Sequence, residues 1–162
     1  MPIYSLTVQA DTSATEDTIT TLASLELADT LGHRARLRRV IVGAGGQTDS
    51  PVDQALKIQL RRSDTTGAGT STSVNVNTIF KFDPLSIASK VSAVGVTYTA
   101  EPTTIDTEIG SGAGFNSRGQ LVLAWEDGKG PIWIRDTTLL VQGEQSDATA
   151  VELTIYVEWE EF

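Results

Sequence analysis

The sequence feature that most constrains the fold is an alternation of apolar and polar residues at both ends of the chain. In residues 151–159 every second residue is apolar, and the same period of two runs through residues 4–10. This is the period of a β-strand that buries one face. We therefore predict that both ends of the chain form strands of one common core. For residues 1–17 two alternatives stay open, an N-terminal strand of that core or an arm.

The same alternation recurs more weakly at residues 34–42, 54–62, 94–100 and 121–125. Between these segments lie stretches rich in Gly, Ser, Thr and Asn, which are typical of turns and loops. The chain contains 22 Thr residues, and threonine favours strands. The predicted fold class is all-β, a single β-sandwich domain over residues 1–162 with about eight to ten antiparallel strands and long polar loops. A jelly roll is the topology that we expect.

Two short segments predict other local structures. Residues 85–94, LSIASKVSAV, have a spacing of apolar residues that is compatible with a helical turn. Residues 126–131, EDGKGP, contain the pair Asp127–Gly128. Asp-Gly is typical of a type I′ turn, so we predict a hairpin between the strands on either side.

Charge and residue content exclude several classes of protein. The 162 residues carry a net charge of −9 and include no cysteine. An acidic chain is poorly suited to nucleic acid or to an anionic membrane surface. No apolar run approaches the roughly 18 residues of a membrane-spanning helix. The absence of cysteine excludes disulfides and thiolate metal sites, and with no signal-peptide pattern in residues 1–13 it suits a reducing cytoplasm.

We predict no catalytic residue, no cofactor and no metal site. His33 is the only histidine, and its neighbour Arg34 disfavours both a basic and a metal-binding role, so we interpret it as a solvated turn residue. The glycine-rich runs at 43–46 and 110–114 match neither phosphate-binding pattern and are interpreted as loops. The many carboxylates lack an apolar setting that would suit acid catalysis, and are interpreted as solvated.

A basic run, HRARLRR at residues 33–39, stands out in this acidic chain. Alternate residues share one face of a strand, so Arg34, Arg36 and Arg38 would lie together there, about 7 Å apart. One hypothesis makes these three arginines a partner-binding site, for a negatively charged protein surface rather than nucleic acid. The alternative is that they pair with acids on a neighbouring strand, with Glu152 and Glu158 as candidates.

Trp133 is the fourth candidate for a partner-binding residue. It alternates with Ile132 and Ile134, so if these two isoleucines are buried, Trp133 is exposed. Trp125 and Trp159 fall on the apolar faces of their strands and are predicted to be buried. A single exposed tryptophan is typical of an anchor in a protein interface.

The order of several segments resembles a family of small jelly-roll virion proteins of tailed bacteriophages. The resemblance covers residues 3–162, and its most telling pieces are LRRSDTTGAGT at 60–70, TAEPT at 99–103, FNSRG at 115–119 and VEWEE at 157–161. None of these pieces is a catalytic signature.

This resemblance implies a structural role without catalysis. Proteins of this kind are similar to capsid decoration, or cement, proteins, which bind the outer shell of the virion and stabilise it, often as homotrimers. The implied partners are the major capsid protein and further copies of the chain, and the implied location is the capsid surface after assembly in the bacterial cytoplasm. In a trimer we expect apolar side chains from residues 63–94 and Trp133 at the subunit interface.

The alternative function is a carbohydrate- or receptor-binding module of a phage tail or head fibre. Such a module needs a flat exposed aromatic platform, and Trp133 is the residue that would supply it. An enzyme such as a glycosidase ranks third, because the sequence shows no assembled site.

Overall fold

The structure is a computed structural model that describes residues 1–28, 32–44, 53–64, 69–104, 106 and 109–162. Within these residues it consists of β-strands with one 3₁₀ turn at Val76–Thr78. The strands are β1 (Ile3–Asp11), β2 (Thr20–Leu27), β3 (Arg34–Ala44), β4 (Ala55–Asp64), β5 (Thr70–Val74), β6 (Phe80–Lys81), β7 (Val91–Ala100), β8 (Gly110–Asn116), β9 (Gln120–Ala124), β10 (Ile132–Ile134), β11 (Thr137–Gln145) and β12 (Glu152–Glu161).

The strands form two sheets that pack as a sandwich, which confirms the predicted all-β sandwich, although the described residues form twelve strands rather than about eight to ten. The first sheet has the order β10-β3-β12-β1-β6, with β9 also paired to β3, and the second has the order β5-β7-β2-β11-β4-β8. The central pairs are antiparallel and nested: β1 with β12, β2 with β11, β3 with β9 and β10, and β4 with β8. This nested pairing of early with late strands is the connectivity of a jelly roll.

The core lies between the sheets and follows the alternation of the sequence. In β12 and β4 the apolar residues that alternate in the sequence are all at most 1% exposed: Leu153, Ile155, Val157, Trp159, Leu56, Ile58 and Leu60. Each such side chain contributes about 1.5–3 kcal/mol when it leaves water. The two chain ends therefore meet in one core, with β1 between β12 and β6.

A β-bulge in β3 explains why the alternation breaks in the middle of this strand. Before the bulge Ala35 and Leu37 face the core, and after it Val40 and Val42 do so. The register against β12 shifts between Glu158 and Trp159, so β3 has one extra residue. An extra residue in one strand moves the inward set by one position.

The predicted hairpin of β9 and β10 is wrong, because both strands pair with β3 instead of with each other. The segment between them leaves the sheet edge and returns to it. Its turn is closed by the amide of Lys129, which donates to the Glu126 carbonyl, and only Gly128 has a positive φ there. That is the pattern of a type II turn, since type I′ needs positive φ at Asp127 as well.

The helical turn predicted in residues 85–94 is also wrong. Residues 83–86 form a turn, in which the Asp83 carboxylate accepts the Leu85 amide at 2.9 Å, and β7 begins at Val91. The backbone amide of Lys90 donates to the Glu161 carboxylate, at 2.9 Å from Oε2. This long-range bond holds the chain extended where local spacing suggested a helix.

The glycine-rich run at 110–114 is a strand and not the predicted loop, because it lies within β8 and pairs with β4. A Cβ atom at Gly110 would come within 2.7 Å of the Leu60 side chain. Glycine therefore lets the backbone approach a bulky neighbour closely. In the run at 43–46, Gly43 belongs to β3, whereas 45 and 46 lie outside the described residues.

The outer face of the second sheet is covered in part by the chain itself. The connection from β7 to β8 crosses from one side of this sheet to the other. Along the way Glu101 accepts the Thr21 amide at 2.9 Å, and Thr104 bridges Ser63. Several outward polar side chains are buried as a result: Thr21, Gln59, Ser63, Thr138 and Gln142.

Candidate interaction surfaces

The arginines of β3 meet acids of β12 on the outer face of the first sheet. Arg36 contacts Glu160 at 2.8 Å, and the side chain of Glu160 is only 5% exposed. Arg38 contacts Glu158 at 3.3 Å, Glu160 at 3.5 Å and Asp127 at 2.7 Å. We call these five residues the arginine face. The structure thus has the alternative arrangement, in which the arginines pair with acids.

The predicted acid partners were half right. Glu158 is a partner of Arg38, but Glu152 lies opposite Asp11 of β1, beyond the arginines. Glu160 takes its place, because the register of β12 sets Glu160 directly opposite Arg36. Alternation places Glu160 on the same face as Glu158, but only the register brings it to the arginines.

The arginine face leaves little free positive charge for a partner. The Arg36 guanidinium also lies 4.7 Å from the centre of the Phe162 ring. Arg34 is exposed, and its backbone pairs with that of Phe162. An acidic partner would have to displace the acids that already hold Arg36 and Arg38, at the cost of leaving buried charge unpaired.

The prediction of an exposed Trp133 is wrong, because its side chain is 0% exposed. Trp133 lies opposite Ala35 across the β10–β3 pair, and this small residue leaves room for the indole. The centre of its ring lies 6.5 Å from the ring centre of Trp159. Trp159 in turn stacks on Tyr4, with ring centres 5.9 Å apart. Trp133 therefore belongs to a buried aromatic row, so it is exposed neither as an anchor in a subunit interface nor as a platform for a sugar.

A different part of the surface exposes large apolar side chains. Leu85 is 94% exposed, Met1 73%, Ile87 63%, Phe80 60% and Phe82 50%. We call these five residues the apolar patch. The Phe80 and Phe82 rings pack edge to face at 5.4 Å, and Phe82 and Met1 line one surface cleft. The other two residues, Leu85 and Ile87, follow shortly after β6, which is an edge strand of the first sheet.

The chain that carries the apolar patch is held firmly against the core. The Tyr4 hydroxyl donates to the Ile87 carbonyl at 2.9 Å, and the Phe82 amide donates to the Ile3 carbonyl at 3.1 Å. The Lys81 ammonium donates to the Ser86 carbonyl at 3.1 Å. These bonds fix the backbone between β6 and β7, so the apolar side chains cannot simply fold back into the core.

The anchor of this segment is the buried carboxylate of Glu161, which is 4% exposed. It accepts hydrogen bonds from the Ser89 hydroxyl, the Lys90 amide and the Trp159 indole, the last at 3.0 Å. A carboxylate with several donors is a strong local tie. Glu161 thus links the aromatic row, through Trp159, to the backbone that follows the apolar patch.

A cleft of about 430 Å³ adjoins the patch. It is lined by Met1, Pro2, Ile3, Phe82, Asp83 and Ser86. Leu85, the most exposed of the large apolar side chains that the structure describes, lies between two of these lining residues in the sequence. The backbone of Leu85 therefore adjoins the lining of this cleft.

The apolar patch is the surface that local sequence patterns missed. The expectation of apolar side chains from residues 63–94 at an interface includes four of its members but does not single them out. The signal was present in FKFDPLSI, residues 80–87, where apolar residues recur at short intervals. Whether such residues face the core or the solvent depends on the position of β6 at the sheet edge.

All three tyrosines have a raised pKa. Burial raises the pKa of Tyr4, and the negative charge of Glu161 adds to the effect. Burial also raises the pKa of Tyr98, partly offset by its hydrogen bonds to Ser24 and Ser71. For Tyr156 burial is again the main cause, followed by the hydrogen bond to Glu158.

The part of the chain that the structure describes contains no group of three or more His, Asp or Glu side chains placed to hold a metal ion. No helix in it is long and apolar enough to cross a membrane. His33 is half-buried beside β3, and its backbone carbonyl accepts the amide of Arg135 at 3.3 Å.

Comparison with known proteins gives no family for this chain. No family model and no curated protein matches it. Among solved structures, the chain is similar at 9% identity to one described as the decameric BFDV capsid protein, with 98% of each chain covered and a TM-score of 0.17. A TM-score this low carries no argument about fold or function.

Proposed function

We propose that this chain is a non-enzymatic structural protein of a virion, a decoration or cement protein that binds the outer shell of a tailed-phage capsid and stabilises it. The observation that carries the proposal is the apolar patch. Exposed apolar surface of this size is typical of a site that a protein partner covers.

The way in which the patch is held supports a docking role. Tyr4 and Glu161 tie its backbone to the core, so little conformational freedom is lost when a partner covers the side chains. Preorganisation of this kind strengthens association. Because a decoration protein binds in many copies, each contact can be modest while the lattice as a whole gains stability.

The proposed partners are the major capsid protein and further copies of this chain, assembled as a homotrimer on the capsid surface. The net charge of −9 supports protein partners over nucleic acid. The chain would be made in the bacterial cytoplasm, which suits a protein without cysteine. In this proposal the arginine face supports the fold rather than the attachment.

The direct test is sedimentation of the purified chain with empty shells assembled from the major capsid protein of the same genome. We expect the chain to pellet with expanded shells and to raise their thermal disruption temperature. An unrelated protein of similar mass serves as the control for nonspecific trapping in the pellet. Shells that neither bind the chain nor gain thermal stability would contradict the proposal.

A further inference from the structure

We propose that the apolar patch is the contact between identical copies of this chain, with the same region of a second copy as its occupant. This inference rests on the proposed function in treating the chain as a protein that works in many copies. It goes further because it names which of the two proposed protein partners covers the patch, namely another copy of this chain.

The exposed area approaches the size that a stable contact between subunits needs. From the exposures of its five side chains, the patch presents roughly 600 Å² of apolar surface, against about 800 Å² per partner in a standard protein interface. Contacts between identical subunits are also more apolar than other interfaces. With a rim of neighbouring polar residues, the patch reaches the size of a specific interface.

The charge of the patch suits an identical partner. Two copies of a charged surface repel each other, so self-association favours a region with balanced charge. The charged side chains within residues 80–87 are Lys81 and Asp83, one of each sign, in a chain of net charge −9. Both are engaged locally, with the Ser86 carbonyl and the Leu85 amide.

The shape of the patch also suits an identical partner. Leu85 is 94% exposed, and the cleft of about 430 Å³ is lined by Asp83 and Ser86, which flank it in the chain. One copy thus carries both halves of a contact, so the Leu85 of each copy can enter the cleft of another. Such exchange generates a closed ring or a two-fold pair, according to the rotation between copies.

The test is the mass of the purified chain by light scattering, over protein concentrations from about 1 to 100 μM, where modest contacts form. The variant is Leu85→Asp, because a side chain that is 94% exposed has no folding role. The matched control is Val122→Asp, an exposed apolar residue of β9 outside the patch. Thermal unfolding of each variant establishes that it is folded.

We expect wild type and Val122→Asp to give the same multiple of the 17.3 kDa protomer mass. Leu85→Asp should weaken association at least about tenfold, since a charge would be buried without a partner. Wild type that stays at 17.3 kDa throughout would overturn the inference. An unchanged mass for Leu85→Asp would overturn it as well.

The shell-sedimentation experiment separates this inference from the proposed function. If the chain self-associates through Leu85 but binds no shell, the inference stands and the proposed function is contradicted. Conversely, a monomeric wild type whose shell binding is lost in Leu85→Asp would assign the patch to the capsid and remove the inference.

Discussion

The arginine face and the apolar patch lie on the same sandwich but differ in what folding provides for them. On the arginine face, Arg36 and Arg38 find Glu158 and Glu160 across a strand pair. On the apolar patch, side chains such as Leu85 and Phe80 find too few neighbours within the described chain to leave the solvent. A surface whose charges are paired internally stabilises the fold, whereas one that stays unpaired is available to a partner.

The structure therefore ranks these two surfaces in the opposite order from the sequence. A basic run in an acidic chain attracts attention, yet two of its four arginines, Arg36 and Arg38, are paired with acids within the domain. Residues 80–87 attract little attention in the sequence, yet four of the exposed large apolar side chains of the described residues lie there. The residue types of one segment therefore do not indicate which surface is open to a partner. Residues on the neighbouring strands decide which side chains are already paired.

The strongest way to sharpen the comparison is Trp133→Ala. Trp133 is fully buried in the aromatic row, so its truncation should lower the free energy of unfolding by about 3–5 kcal/mol. Urea denaturation measures this loss, with Ile134→Ala, a 44% exposed neighbour, as the control. A loss below about 1 kcal/mol would place Trp133 outside the core.

The next effect concerns the arginine face. Glu160→Gln removes the charge that faces both Arg36 and Arg38, and we expect unfolding to become easier by about 1.5–3 kcal/mol. Glu126→Gln is the control, because Glu126 is highly exposed and its contact with Lys129 contributes little. Equal effects of the two substitutions in urea denaturation would show that the arginine face is not a stabilising network.

An alkaline titration tests the Tyr4 hydroxyl, which ties the backbone of the apolar patch to the core. The pKa of Tyr4 is raised in the folded chain, while the unfolded chain has the ordinary value of about 10. Below that pH both states hold the proton, and above it only the folded state does. The free energy of unfolding should therefore be constant up to about pH 10 and fall as the pH rises further.

The variant for this titration is Tyr4→Phe, which lacks the hydrogen bond to Ile87. It should cost about 0.5–1.5 kcal/mol at neutral pH and reduce the alkaline loss of stability. Tyrosinate absorbance in the wild type should stay low at pH 10 and rise together with unfolding, since all three tyrosines have raised pKa values. Tyrosine titration with an ordinary midpoint near pH 10 in the folded state would argue against this role of Tyr4.

The smallest effect on stability is expected in the apolar patch itself. Leu85→Ser should change the free energy of unfolding by no more than about 0.5 kcal/mol, as is usual for exposed positions. Chemical denaturation at a low protein concentration measures the protomer alone. A loss comparable with that of Trp133→Ala would mean that Leu85 packs within the chain, and the contrast between the two surfaces would fail.

Long alternating segments were predicted well because a single physical condition acts along them. Once one face of β12 is buried, every second residue must be apolar, and nine residues suffice to show it. Short strands carry no such signal. For the three residues of β10, the inward face was decided by pairing with β3 and by the space that Ala35 leaves for Trp133.

The candidate surfaces were predicted less well because both depend on contacts between distant residues. Arg36 and Glu160 are 124 positions apart, and only the register of β3 against β12 joins them. Glu161 holds Lys90 in an extended segment where local spacing suggested a helical turn. Glycine-rich β8 is a strand because β4 pairs with it, despite the low strand propensity of glycine.

By itself the sequence determined the fold class of this protein. Period-two alternation, scarce helix signals and numerous turn residues are local properties, which each segment has regardless of its partners. The sequence also determined that no disulfide or thiolate metal site could be present. The tertiary structure decided which surface is closed and which is open. Registers, the bulge in β3 and the edge position of β6 arise only when strands distant in the chain pair, because an ion pair or a buried ring needs both partners in place.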